Sequence, residues 1–210
     1  MEDVLDVYTR PLDPRRPLVC FDESSRQLTK EVRVPLPPEP GQPARYDTEY
    51  ERNGVSALLL AFAPLLNWRH IEVTARRTAI DVAHCLRDLV DVHFPDADAI
   101  TGVLDNVNTH TRAALYAAFP PAEAKRIADK LAFHHTPKHG SWLNMAEIEF
   151  SVLSRQCLDR RLPDQATLAE EVAAWEAERN ARAATVHWRF TTADARIKLK
   201  HLYPVVEPIN

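Results

Sequence analysis

The 210-residue chain holds only three cysteines, no apolar run of membrane length and no excess of positive charge. Cys20, Cys85 and Cys157 are odd in number, far apart and set among apolar neighbours. That argues against a disulfide framework or a cysteine metal cluster and marks them as reduced core residues of a cytoplasmic protein. The longest greasy stretch, residues 56–66, is interrupted by Pro64. It falls short of the ~18 apolar residues that a spanning helix needs, so no membrane partner is expected. The acidic start, Met1-Glu-Asp-Val-Leu-Asp6, lacks the basic-then-apolar order of a secretory signal. No internal repeat is present.

A net charge of −4 speaks, taken alone, against nucleic acid as a partner. The distribution says more than the sum. Residues 179–201 carry six basic side chains (Arg179, Arg182, Arg189, Arg196, Lys198, Lys200) against one acid, Asp194. Such a segment is either a surface for a phosphate backbone or a solvated face, and charge alone favours the solvated face.

With 45% hydrophobic and 27% charged residues, the chain has the composition of one globular domain. Leu18-Val-Cys-Phe-Asp22 is a bounded apolar run ending in an acid, which reads as a buried strand. Residues 35–43 contain five prolines and predict a loop or the tip of a long hairpin. Strand-like runs follow at 55–62 and 70–74. A helix is expected over 78–93, from Val82, Leu86, Leu89 and Val90 at helical spacing. Residues 99–105 form a second apolar run ending in an acid, Asp105. Two short helical patterns flank Pro120-Pro121, a brief strand covers 131–134, and helices are expected over 142–158 and 167–181. Thr167 and Glu170 have the spacing of a capping box for the last of these. The order predicts a mixed α/β domain with a largely open sheet.

Asp22 and Asp105 each stand where an apolar strand ends. Ligands of open α/β sheets gather beyond the carboxyl ends of the strands, so both are candidate metal ligands. Strand-end Asp residues also serve as plain turn formers. A third acid comes from the helix after residue 141, where Glu147 and Glu149 compete. The stripe of Ala146, Phe150, Leu153 and Cys157 must face the core, and the two glutamates flank it on opposite sides, about 200° apart. Only one can face the aspartates, and periodicity does not choose between them. Asn144 and Glu147 could equally be a helix capping pair.

Three blocks carry a family resemblance. They are Asp22-Glu23 after a strand, Leu104-Asp105-Asn106-x-Asn108-Thr109-His110, and Thr136-Pro-Lys-His-Gly-Ser-Trp-Leu-Asn-Met-Ala-Glu147. They resemble the catalytic blocks of DDE transposases, specifically the bacterial insertion-sequence branch of the mariner superfamily. Pro40-Gly-Gln-Pro43-x-Arg45-Tyr46 and Phe190-Thr-Thr-Ala-Asp-Ala-Arg196 extend the likeness over nearly the whole chain. The resemblance implies an RNase H-like (retroviral-integrase-like) mixed sheet flanked by helices. It implies Asp22, Asp105 and Glu147 as catalytic residues and ligands of two Mg²⁺ or Mn²⁺ ions, with Asp22 bridging both and the others holding one each. Water would hydrolyse the strand at the element's end, and the freed 3′-OH would attack target DNA at a TA dinucleotide. Glu149 is the reserve for the third ligand.

The resemblance further implies DNA (transposon ends and target) as partner, a homodimer in the full-length family, and action at the nucleoid. It places residues 1–17 as residual linker, 18–204 as the catalytic domain and 205–210 as a tail, with the family's N-terminal helix-turn-helix module outside this chain. The interval from Asp105 to Glu147, 42 positions, is longer than in eukaryotic relatives, the extra length falling at the Pro120-Pro121 helix. His110, Lys138 and His139 are candidate DNA contacts, and Trp142 is expected to anchor the core, with base stacking as the lesser alternative. His134, His135 and His139 lie close together, but without cysteine pairs their spacing is a weak zinc signal. Two other classes remain open: a transposase remnant that only binds DNA, and a metal-free two-carboxylate hydrolase such as a glycosidase. Divalent-metal nicking and EDTA sensitivity separate them.

Overall fold

In a computed structural model, which describes residues 1–105 and 112–203, the first apolar run opens a strand far longer than its greasy part. Strand β1 spans Leu18–Glu31 and pairs antiparallel with β2, Tyr50–Ala63, which in turn pairs with β3, Trp68–Thr74. Only the first half of β1 is continuously buried; its outer half is half-exposed hairpin, so hydrophobicity alone marks just the core portion. The proline segment is the end of that hairpin, held by bridges Leu36–Arg45 and Glu39–Gln42. Its turn places Pro40 ahead of Gly41 at φ +80°, a backbone conformation that favours glycine.

Helix α2, Ala79–Asp88, starts at a capping box in which Thr78 and Asp81 bond each other's backbone N–H. A five-residue π turn, Leu89–His93, carries the helical path to the end expected from the sequence. Strand β4, Ile100–Leu104, then lies parallel to β1 on its other side. Helices α3, Arg112–Ala118, and α4, Pro121–Asp129, form the crossover to β5, Leu131–His135, parallel to β4. The order is β3-β2-β1-β4-β5. Helices α5, Met145–Gln156, α6, Gln165–Ala181, and α7, Thr192–Lys198, complete the chain.

Strand alternation sorts the core onto two faces. Cys20, Leu58, Leu60 and Val103 pack with Met145, Leu153, Leu168 and Trp175 on one side. Phe21, Leu59, Ile100 and Leu104 pack with Leu86, Leu115 and Ile127 on the other. Helices α5 and α6 cover the first face, and α2, α3 and α4 the second.

Two sequence expectations need correction. The span 1–17, expected as linker, opens with helix α1, Glu2–Tyr8, whose Val4, Leu5 and Val7 are buried in the first core cluster. The fold therefore begins ahead of β1. A seven-residue helix is too short for its apolar period to stand out from surrounding acids. Helix α6 is capped by Asp164, which accepts from the Thr167 N–H at 2.8 Å, and so starts one turn earlier than the expected Thr167–Glu170 box. Among the described residues no helix is long and apolar enough to cross a membrane.

Candidate active site

The pleat decides where the two strand-end aspartates point. Leu18, Val19 and Cys20 of β1 pair with Thr101, Gly102 and Val103 of β4. Carried two residues further, that parallel register sets Asp22 level with Asp105. Adjacent strands lie about 4.8 Å apart. Asp22 shares the parity of Cys20, and Asp105 that of Val103, so both belong to the face covered by α5.

Asp22 is only 8% exposed, and its Oδ1 accepts the Glu23 N–H at 2.8 Å. Burial pushes its carboxyl up to about 7, against the lowering effect of that backbone bond; the charges of Asp105, Glu147 and Glu23 add to the rise. Asp22 thus senses both other acids of the expected set. Among the described residues no three or more His, Cys, Asp or Glu gather closely enough to close around a single ion.

Glu147 reaches this place through a braced turn. Gly140 donates to the Pro137 carbonyl at 2.8 Å, and a Cβ at Gly140 would come within 2.6 Å of Pro137 Cγ. A single 3-10 turn, Ser141–Leu143, leads to Asn144. Asn144 is fully buried. Its Nδ2 donates to the Phe21 carbonyl at 2.9 Å, one residue before Asp22, while its Oδ1 caps the helix by accepting from the Ala146 N–H. The capping half of the expected Asn144–Glu147 pair is present, and Glu147 sits exposed in the first turn of α5. Tyr8 adds a second brace, donating to the Leu143 carbonyl at 2.7 Å and accepting from the Met145 N–H at 3.3 Å.

Glu149 lies elsewhere. It is fully buried, 2.9 Å from the Arg69 guanidinium, and accepts two hydrogen bonds from Arg179 at 2.8 and 3.1 Å. Those partners tie α5 to β3 and α6, so Glu149 is committed to the fold. Of the two glutamates that periodicity left open, Glu147 is the one whose charge acts on Asp22.

Lys138 and His139 are exposed on the turn before Glu147, His139 at φ +62°. His110 lies outside the described residues. His134, part of the weak zinc signal, bonds Asp3 of α1 at 2.8 Å. His135 meets the main-chain carbonyl of Asp105 at 3.3 Å. Trp142, expected in the core, is 44% exposed, because the 3-10 turn rotates it out while Leu143 takes the buried position. The basic stretch is also less available than its sequence suggests. Arg179 pairs with Glu149, Arg182 with Glu178, Arg196 with Glu2 and Lys198 with Asp194. Sequence reasoning missed Tyr8, whose role depends on a partner 135 residues away.

A family model described as DDE superfamily endonuclease matches residues 17–169, from the start of β1 through Glu147 and into α6. The chain belongs to the DDE superfamily endonuclease family. Members of this family use divalent metal ions. Among solved structures, the Mos1 mariner paired end complex with Mn matches 86% of the chain at 18% identity with a TM-score of 0.55. The Mos1 Strand Transfer Complex matches the same share at 16% identity and 0.57. At those identities the likeness establishes the fold, an RNase H-like mixed sheet flanked by helices. The chain spans 54% of the Mos1 chain, about half its length. No curated protein matches.

Proposed function

We propose that this DDE endonuclease chain is the catalytic domain of a cut-and-paste DNA transposase of the bacterial insertion-sequence branch, with Asp22, Asp105 and Glu147 as its catalytic carboxylates. The observation that carries the reading is Asp22, the last of the continuously buried residues of β1, on which the charge of both other acids bears. A buried carboxylate among like charges is stabilised by a cation, and an all-oxygen donor set suits hard Mg²⁺ or Mn²⁺. Asp22, Asp105 and Glu147 are the residues that would hold such ions. The chemistry the metal would supply there is a lowered pKa for an attacking water and stabilisation of charge on the leaving oxygen of a phosphodiester.

The chain's own residues supply position. Asn144 fixes the start of α5 to the backbone beside Asp22, so the Glu147 carboxylate does not wander. Lys138 and His139, exposed on the preceding turn, are suited to hold the scissile strand by its phosphates. Hydrolysis of the strand leaves a 3′-OH, which then attacks target DNA in the same site. Transposon ends, target DNA and a second copy of the full-length protein are the partners this reaction needs.

Nicking of supercoiled plasmid tests the proposal. Mg²⁺ or Mn²⁺ should support it, EDTA should stop it, and Asp22→Asn, Asp105→Asn and Glu147→Gln should each abolish it. Cleavage that survives EDTA would sink the reading. A chain that binds plasmid but never nicks it would instead be a DNA-binding remnant.

A further inference from the structure

Trp142 is a large apolar ring left half in water on the turn that leads into α5. Single exposed apolar residues are ordinary on protein surfaces. This one differs in how firmly it is held. Its 3-10 turn is closed by the Leu143–Gly140 and Asn144–Ser141 backbone bonds, and the turn before it by the Gly140–Pro137 bond and the crowding that bars a Cβ at Gly140. The Tyr8 hydroxyl bonds the backbone on the next residue, Leu143, and on Met145. The ring packs edge-on against Phe190, centroids 5.7 Å apart at 72°, and Lys198 Nζ lies 5.5 Å from the centre of the Phe190 ring. Phe190 is in turn fixed through its carbonyl, which accepts from Trp188 Nε1 at 2.6 Å. The indole is thus preorganised, with little rotamer freedom left to lose on binding.

Its location is equally constrained. Trp142 stands two residues before Asn144, a chain distance of at most about 7 Å. Asn144 is bonded to the carbonyl next to Asp22. Exposed Lys138 and His139 precede it on the same turn. Aromatic faces interleaved with cations are the surface on which unpaired bases stack while their phosphates are held.

The electrostatics of the chain make such a contact useful. With a net charge of −4, and four of the six cations of its basic stretch paired to its own acids, phosphate attraction is weak. A contact to a base face does not depend on that charge. We infer that Trp142, backed by Phe190, is a stacking platform for an unpaired nucleobase next to the scissile phosphate. The inference rests on the reading of the neighbouring carboxylates as a DNA-cleaving site, and it identifies the substrate at that site as locally unpaired DNA.

Two oligonucleotides of twelve nucleotides test it, one of mixed sequence and one an abasic chain with the same backbone. Binding is followed by fluorescence anisotropy in EDTA, so that no cleavage intervenes. The parent protein should bind the base-bearing strand about tenfold more tightly than the abasic one. Trp142→Phe should keep most of that preference. Trp142→Ala should bind both strands alike, at the abasic level, with an unchanged circular dichroism spectrum. Asp22→Asn should keep the full preference while losing plasmid nicking. A parent without preference for bases, or Trp142→Ala that retains it, overturns the platform and leaves the carboxylate reading standing. If Asp22→Asn still nicks while Trp142→Ala loses the preference, the platform is real and the carboxylate reading fails.

Discussion

Glu147 and Glu149 are separated by one residue on α5 and meet opposite surroundings. Glu149 is enclosed by Arg69 and Arg179, and its charge is answered by two cations within hydrogen-bond reach. Glu147 stands exposed at the head of the same helix, beside an aspartate that is itself buried and crowded by like charge. One side of α5 neutralises its acid, and on the other the charge of Glu147 bears on buried Asp22. The compensated carboxylate serves stability. Asp22, raised by burial and by like charges, is the carboxyl whose ionised form a metal ion would favour, as the proposed function requires.

The contrast is most exposed to challenge in activity. Glu147→Gln should drop metal-dependent nicking to background with little change in stability, and Glu149→Gln should leave nicking per folded molecule largely intact. The reverse outcome would mean that the helix presents the other glutamate to the aspartates.

Stability should show the opposite ranking. Glu149→Gln leaves two arginines facing a neutral group in a buried place, a defect of about 3–5 kcal/mol. Urea unfolding in EDTA measures it, and a loss no larger than that of Glu147→Gln would remove the distinction between the two sides of α5.

A smaller effect comes from pH. In the unfolded chain Asp22 titrates near 3.8, whereas in the folded protein its carboxyl is raised to about 7. The folded state therefore keeps a proton that the unfolded state has released. Metal-free stability is full below about pH 4 and falls as pH rises towards 7, by something on the order of 2 kcal/mol. Asp22→Asn should flatten this decline and stabilise the metal-free protein at neutral pH, and excess Mg²⁺ should stabilise the parent more than the variant. Melts in EDTA at pH 5 and 7.5 with equal midpoints for the parent would contradict the crowding at Asp22.

The slightest change is expected at the surface. Arg196, paired with Glu2 across α7 and α1 in water, should be replaceable by Ala with a melting point close to the parent's. A large drop would show that the exposed pairs of the C-terminal stretch carry structural weight comparable to the buried network.

Much of this architecture was legible in residue order. Apolar runs ending at Asp22 and Asp105 and the proline hairpin tip are local features, set by hydrophobic period and turn chemistry within a few residues; the helix expected from 142 begins only at Met145, after a 3-10 turn. The three sequence blocks belong to that class too, since each is a short motif at the end of one element. They were sufficient to anticipate the sheet class and the family.

Other features depended on distance along the chain. Arg69 lies 80 positions before Glu149 and Arg179 thirty after it, so neither the burial of Glu149 nor its ion pairs can be read from α5 alone. The burial of α1, the outward turn of Trp142 and the pairing of the basic stretch with its own acids are of the same kind. By itself the sequence determined which short segments become strands, turns and helices, and which acids stand at their ends, because those outcomes follow from interactions between near neighbours. Only the tertiary structure decided which acids share a space and which are neutralised, because a charge is set by what folds against it from remote parts of the chain.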